Sequence, residues 1–390
     1  MCLLGTGDWE LEIRQHKYQG AILYPDRPLS MSMPMSKPRR SALAGVLMVL
    51  LAAGTARAQV GVTDGPKGVV VNSRTGKAYA VFPDLGVVKI LDRAGRVTTV
   101  KTGANVKSLT LNPKTGQVYA MNRGPGTISV IDPTSDAITA TLKADRGSLT
   151  ALNPATGRLY VSASTGTDPS VIDLATGLST VIHAGTEGNA LSVNVRANKI
   201  YFVGYEDDFL TIVDGATNQS TRLKVPGVHQ WESAFSERTG MLYLPSPNDN
   251  DLIAIDTASD TVSTIGTGLV PMAAAVNEAT NRVYVVNYGS SDVTVIDAAV
   301  NRPIATIPVG LWPQQIAINT RTNTIYVVNT HADSVSVIDG RTNRLKATVP
   351  TGRGPWALAV DPVADRVYVA NRLSDRVTVI DGRSNRATER

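Results

Sequence analysis

Short apolar runs separated by tight polar turns recur along this chain with a period near 41 residues. One repeat shows the pattern. Gln315-Ile-Ala-Ile-Asn319 reads as a strand, and Thr320 to Asn323 as a turn. Thr324-Ile-Tyr-Val-Val-Asn329 reads as a second strand, apolar on both faces, as a sheet sandwiched between neighbours requires. A loop from Thr330 to Asp333 leads to a third strand, Ser334-Val-Ser-Val-Ile-Asp339. A turn at Gly340 to Asn343 leads to a fourth, Leu345-Lys-Ala-Thr-Val-Pro350. No helical periodicity interrupts the repeat. A period near 40 filled by four short strands predicts an all-β propeller of four-stranded antiparallel blades.

Three positions mark each copy. A leading Asn opens the first turn (Asn72, Asn112, Asn153, Asn194, Asn277, Asn319), with Ser236 and Asp361 in its place in two copies. A tyrosine follows seven residues later, as at Tyr79, Tyr284 and Tyr368, and an aspartate thirteen after that, as at Asp92, Asp297 and Asp381. Four residues after the Asn stands Gly, Asn or Asp, as at Gly76, Asn323 and Asp365, and the same types follow the aspartate. These residues tolerate a left-handed backbone, and Asn or Asp at the head of a turn bonds the amide two residues on. The acids and amides therefore have a structural task. The tyrosines are expected to pack, each hydroxyl bonding a neighbouring blade.

Eight copies predict eight blades, with seven as the alternative because the first copy is degenerate. Residues 58–66 align with 347–355, the end of a fourth strand, and the chain ends where another fourth strand begins. The expectation is a ring closed by N-terminal residues 59–63 completing the last blade.

The segment before the repeats differs in kind. Lys37, Arg39 and Arg40 precede an apolar run from Ala42 to Ala53 and the small-residue box Ala56-Arg57-Ala58. That is the pattern of a secretory signal peptide over 31–58, with Gln59 as mature N-terminus and a run too short to span a bilayer. Residues 1–30 do not fit in front of a signal and read as an N-terminal extension, Met31, Met33 and Met35 each offering a later start. A single domain over 59–390 remains. Of 38 Lys and Arg and 33 acids, the leader holds seven and four, so the mature chain carries a formal charge of +2. The sole cysteine, Cys2, leaves with the leader, which excludes a disulfide framework and a Cys nucleophile. A periplasmic or cell-surface monomer without a stable membrane span is expected.

The repeat resembles the YVTN β-propeller family of exported and surface-layer proteins, the YncE type in particular. Val283-Tyr-Val-Val-Asn287, Ile325-Tyr-Val-Val-Asn329 and Val367-Tyr-Val-Ala-Asn371 carry the central motif. Val293-Thr-Val-Ile-Asp297, Val335-Ser-Val-Ile-Asp339 and Val377-Thr-Val-Ile-Asp381 carry the third strand. The resemblance covers nearly all the mature chain and is looser in copies one, three, four and five. It implies a propeller and little about activity; nucleic-acid binding has been proposed for relatives of this type.

Antiparallel strands place the 1–2 and 3–4 turns on one rim and the 2–3 and 4–1 loops on the other. The turn rim repeats the same chemistry, while the loop rim varies between copies, as a binding face does. Candidate ligand-binding residues there are Lys67, Lys107, Arg146, His229, Trp231, Trp312, Gln314, Arg353 and Trp356. Tryptophan beside Arg and Lys suits an anionic or ring-bearing ligand, such as a glycan or single-stranded nucleic acid, or a protein partner. The bland alternative is that Trp312 and Trp356, each beside a proline, pack on neighbouring blades. Asp207 and Asp208, with Asp249 and Asp251, fall in adjacent 2–3 loops and offer oxygens to a cation, but neither loop has the full Asp-x-Asp-x-Asp-Gly pattern, so no metal is expected.

No catalytic constellation emerges. His183 and His229 fall in neighbouring 4–1 connections and His331 in a distant 2–3 loop, with no Gly-x-Ser-x-Gly, His-x-x-x-His or Cys-x-x-Cys-His motif. The reading is a non-catalytic binding or scaffold module with no cofactor. The alternative is a propeller enzyme, a lactonase-like hydrolase or a quinone-dependent dehydrogenase.

Overall fold

The computed structural model describes residues 49–51, 60–62, 68–145, 147–162, 168–184, 190–204, 208–225 and 233–390. Eight four-stranded antiparallel blades follow one another along the chain, each made of four consecutive strands, and the sheet of the second is extended by Val49–Leu51 and Val60–Val62. Blades 1 to 8 span 69–101, 106–143, 150–181, 190–224, 234–266, 271–308, 313–350 and 355–389. The protein is an eight-bladed β-propeller, and the seven-bladed alternative falls.

Burial grades outward within a blade. In blade 7 the second strand, Thr324–Asn329, is buried throughout, whereas the fourth, Arg344–Pro350, is largely exposed. The innermost strands carry small side chains where the blades converge: Ala273, Ala274 and Ala275 of Pro271–Asn277 are each at most 1% exposed. Several hydroxyl residues of the inner strands pair across a blade boundary. Thr110 Oγ1 lies 2.7 Å from Thr150 Oγ1, and Ser192 Oγ 2.6 Å from Ser233 Oγ. A buried hydroxyl is tolerated when it is hydrogen-bonded.

The turn chemistry follows the sequence. Asn281, Asn323, Asp365, Asn301, Asn343 and Asn385 all sit at φ between 50° and 54°. Asp381 Oδ1 accepts from the amides of Arg383 and Ser384, and Asn72 Oδ1 from those of Arg74 and Thr75. The leading Asn has a second task not read from the sequence. Its Nδ2 donates to the left-handed residue of the next blade's first turn: Asn72 to Gly116 O (3.2 Å), Asn153 to Asn198 Oδ1 (2.8 Å), Asn277 to Asn323 Oδ1 (2.7 Å) and Asn319 to Asp365 Oδ1 (2.6 Å).

Each ladder tyrosine is buried in the contact with the following blade, as Tyr79 is among Leu109, Leu111 and Val118. Only part of the expected hydroxyl bonding is present. Tyr284 Oη donates to Asn343 in the next blade (3.4 Å), Tyr119 Oη to Gln117 in its own (3.3 Å), and the hydroxyls of Tyr79, Tyr243 and Tyr326 are buried with no partner among the described residues.

Ring closure differs from the sequence expectation. The last blade takes its fourth strand, Arg386–Glu389, from the C-terminus, and Val377 and Arg390 exchange both backbone hydrogen bonds (3.0 and 2.9 Å). The fourth-strand place expected of residues 59–63 is thus taken by the C-terminal strand. Val60–Val62 instead pair with Val49–Leu51, and Val62 bridges Ser108 on the inner strand of blade 2. Closure rests on side chains: Ala357, Ala359, Tyr368, Ala370 and Val377 of blade 8 pack on Val69, Val71, Ala78 and Phe82 of blade 1.

Candidate functional site

The nine candidate residues fall on three positions of the repeat. Lys67, Lys107, Trp231, Gln314 and Trp356 stand five residues before the leading Asn or its substitute; Arg146, His229 and Trp312 stand seven before it, and Arg353 eight. Lys67, Arg146, His229 and Trp231 lie outside the described residues, as does Asp207. Lys107, Gln314 and Trp356, with Met272 at the same position, are the extra residues of bulges where the inner strand of blades 2, 7, 8 and 6 begins. A bulge at a sheet rim re-aims one side chain, so a single backbone device places four different side chains at this rim.

The position two residues earlier is left-handed. Asn105 (φ 58°), Val270 (53°), Trp312 (53°) and Gly354 (60°) occupy it, and their carbonyls accept the amides of Arg123, Tyr288, Thr330 and Arg372 in the 2–3 loops. Asn and Gly suit this conformation, whereas a β-branched Val and a Trp are strained in it.

At Trp312 the strain accompanies an aromatic cluster. Its indole lies 5.4 Å from the Tyr288 ring at 26° and 4.4 Å from the His331 ring at 33°. Tyr288 belongs to the 2–3 loop of blade 6 and His331 to that of blade 7, so rings from two adjacent blades pack against the indole while 45% of the residue stays exposed. An indole packed in this way presents an apolar edge at the rim. Leucines extend this edge: Leu269, Leu311 and Leu373, in the loops of blades 6, 7 and 8, are 56%, 55% and 62% exposed. Trp356 is half-buried, with the Arg372 guanidinium 5.4 Å from its ring, and packs against Met272 and the core between blades 8 and 1. Gln314 is buried with no partner for Oε1 among the described residues, and Arg353 is exposed.

The structure thus brings Trp312, Gln314, Arg353 and Trp356 to one arc of the loop rim, over blades 6 to 8, and leaves Lys107 on blade 2. Sequence reading missed Tyr288, Leu269, Leu311, Leu373 and Arg372 and set His331 apart. The available signal was positional: Tyr288 and Arg372 directly follow the Asn that ends the second strand.

Of the acidic 2–3 loops, Asp208, Asp249 and Asp251 fall among the described residues. Asp208 and Asp249 are exposed; Ser246 Oγ donates to Asp249 Oδ2 at 3.1 Å. Burial, and then the charge of Asp249, hold the Asp251 carboxyl above the usual range. Among the described residues no group of three or more His, Cys, Asp or Glu is placed to hold a metal. His183 Nδ1 sits 3.1 Å from Asp168 Oδ2, a pair held within blade 3.

Among known proteins, the profile of the family described as "Lactonase, 7-bladed beta-propeller" matches residues 270–387, which span blades 6 to 8 of this eight-bladed ring. No curated protein matches the chain. Solved structures of similar fold include hydrazine synthase of Kuenenia stuttgartiensis (17% identity, TM-score 0.55, 82% of this chain and 96% of that one). Others are apo AztD of Citrobacter koseri (13%, 0.55, 77% and 93%) and virginiamycin B lyase of Staphylococcus aureus (12%, 0.53, 80% and 93%). At these identities the likeness is one of fold, and it supports placing the chain among the β-propellers.

Proposed function

We propose that this chain is an exported, non-catalytic propeller that binds a protein partner through the loop rim of blades 6 to 8. The observation that carries the reading is the row of exposed apolar side chains Leu269, Leu311, Trp312 and Leu373 in three adjacent blades. Exposed apolar residues gathered on one face mark interaction surfaces. A glycan or a base would use a free aromatic face; an apolar protein segment uses an edge of this kind. The resemblance to exported YVTN-type proteins supports the location, which fractionation of cells carrying the intact gene would test.

The binding test uses a partner captured by the mature protein, identified, and reconstituted pure. Leu311→Glu with Leu373→Glu should weaken its binding by about tenfold or more while the melting temperature holds. Unchanged affinity would remove the loop rim from the reading. A lactonase-like hydrolase is the second reading, favoured by the profile match over 270–387. Turnover of a lactone panel by the pure mature protein would put it first.

A further inference from the structure

The opposite rim carries a charge asymmetry that only the closed ring assembles. In blades 2 to 5 the 3–4 turns, from the strand-3 aspartate to the first residue of strand 4 (132–138, 173–179, 214–220 and 256–261), contain no Lys or Arg. The equivalent turns of blades 6, 7, 8 and 1 contain Arg302, Arg341 and Arg344, Arg383 and Arg386, and Arg93 and Arg96, all exposed. Because blade 8 packs on blade 1, residues from both ends of the chain join into one basic arc.

The acids of this arc are committed to turns, and most of its cations are not. Asp339 and Asp381 accept turn amides, and buried Asp365 accepts from Asn319. Arg96 pairs with Asp92 (2.6 Å) and Arg341 approaches Asp339 (3.5 Å), whereas the side chains of Arg302, Arg321, Arg344, Lys346, Arg383 and Arg386 have no ion pair or hydrogen bond among the described residues. Between blades 7 and 8 lies an open polar cleft of about 210 Å³ bordered by the cations Arg341, Lys346 and Arg383 and by the carboxylates of Asp339 and Asp365, which the turn amides and Asn319 engage. Apolar side chains are interleaved with the cations: Val300 (62% exposed), Leu345 (44%) and Val363 (46%).

We infer that the turn rim of blades 6, 7, 8 and 1 docks on an anionic lipid surface, with a headgroup phosphate seated in the cleft between blades 7 and 8. Free guanidinium groups meet the phosphates, and Val300, Leu345 and Val363 reach the headgroup boundary, the combination used by proteins that lie on a membrane. A rim of projecting hairpin turns fits a surface better than the groove a soluble polyanion would need.

The test is sedimentation of the mature protein with vesicles of phosphatidylglycerol and phosphatidylcholine, against phosphatidylcholine alone. Binding should require the anionic lipid and weaken with salt. Replacing Arg344, Arg383 and Arg386 together by Gln should weaken it about a hundredfold, at about fivefold per charge. Leu345→Ser with Val363→Ser should weaken vesicle binding while leaving retention on dextran sulfate unchanged. Retention on dextran sulfate without vesicle binding, or vesicle binding unmoved by the triple Gln variant at an unchanged melting temperature, would overturn the inference. Leu311→Glu, on the other rim, should leave vesicle binding intact, so the two proposals fail separately.

Discussion

Single residues in this protein are chosen by backbone conformation before anything else. Four equivalent left-handed positions on the loop rim hold Asn105, Val270, Trp312 and Gly354, and only the first and last are suited to it. Half-buried Val270 packs near Met272, but its carbonyl bond to the Tyr288 amide is a backbone contact that any residue can make. Val270→Asn should therefore raise stability, by about 1 kcal/mol if the relief of left-handed strain exceeds the lost packing. Chemical denaturation of the two proteins checks the sign. Position and chemistry of the turns were legible in the sequence because φ preference is a local property. The strain at Val270 and Trp312 was not, because neither residue type announces a left-handed turn.

At the scale of the blade, the leading Asn works as a two-ended clamp. Its oxygen caps its own turn and its amide holds the next blade, as Asn319 does on Asp365. Blade 8 breaks the pattern at the seam. Asp361 still caps its turn through the amides of Val363 and Ala364, but its buried Oδ2 has no partner among the described residues, where an asparagine would carry an amide donor. In blade 1 the clamp reaches the carbonyl of Gly116, and Gly76 is the equivalent residue across the seam. Asp361→Asn should keep the cap, remove a buried carboxylate and supply the missing donor, a gain of about 1 kcal/mol readable as a higher melting temperature. A loss would mean the carboxylate serves the seam in another way. The Asn ladder was visible along the chain, but its second partner lies some 45 residues away and appears only when blades stack.

For the whole ring, the repeated turns and packing residues set the pH range of stability. Backbone amides hold Asp132, Asp173, Asp214, Asp339 and Asp381 below the usual carboxylate range, with the Arg96 and Ala94 amides doing the same for Asp92. A lowered folded value contributes stability that is present above the unfolded pKa near 4 and lost as pH falls through the folded one. Burial acts on the tyrosines in the opposite sense, pushing Tyr243 and Tyr284 up to about 12 and Tyr79 and Tyr326 higher still. A raised folded value contributes stability present below the unfolded pKa near 10 and lost as pH rises beyond it. Melting temperature against pH should thus show a plateau bounded by falls below about pH 4 and above about pH 10. A steady decline from pH 7 to 5 would contradict the assignment, since neither ladder titrates there.

The sequence by itself determined the repeat, the blade count, the turn conformations and which rim varies, because each follows from local preference and from an apolar pattern written along the chain. Tertiary structure decided the rest. It placed the C-terminal strand Arg386–Glu389 in the last blade and left the ring closed by packing rather than by a shared strand, since both terminal segments carry a fourth-strand pattern and only the assembled blade selects between them. It set Tyr288 and His331, from the loops of blades 6 and 7, against Trp312. It also brought Arg93 and Arg96 beside the arginines of blades 7 and 8, a neighbourhood that exists only because a linear chain closes into a circle.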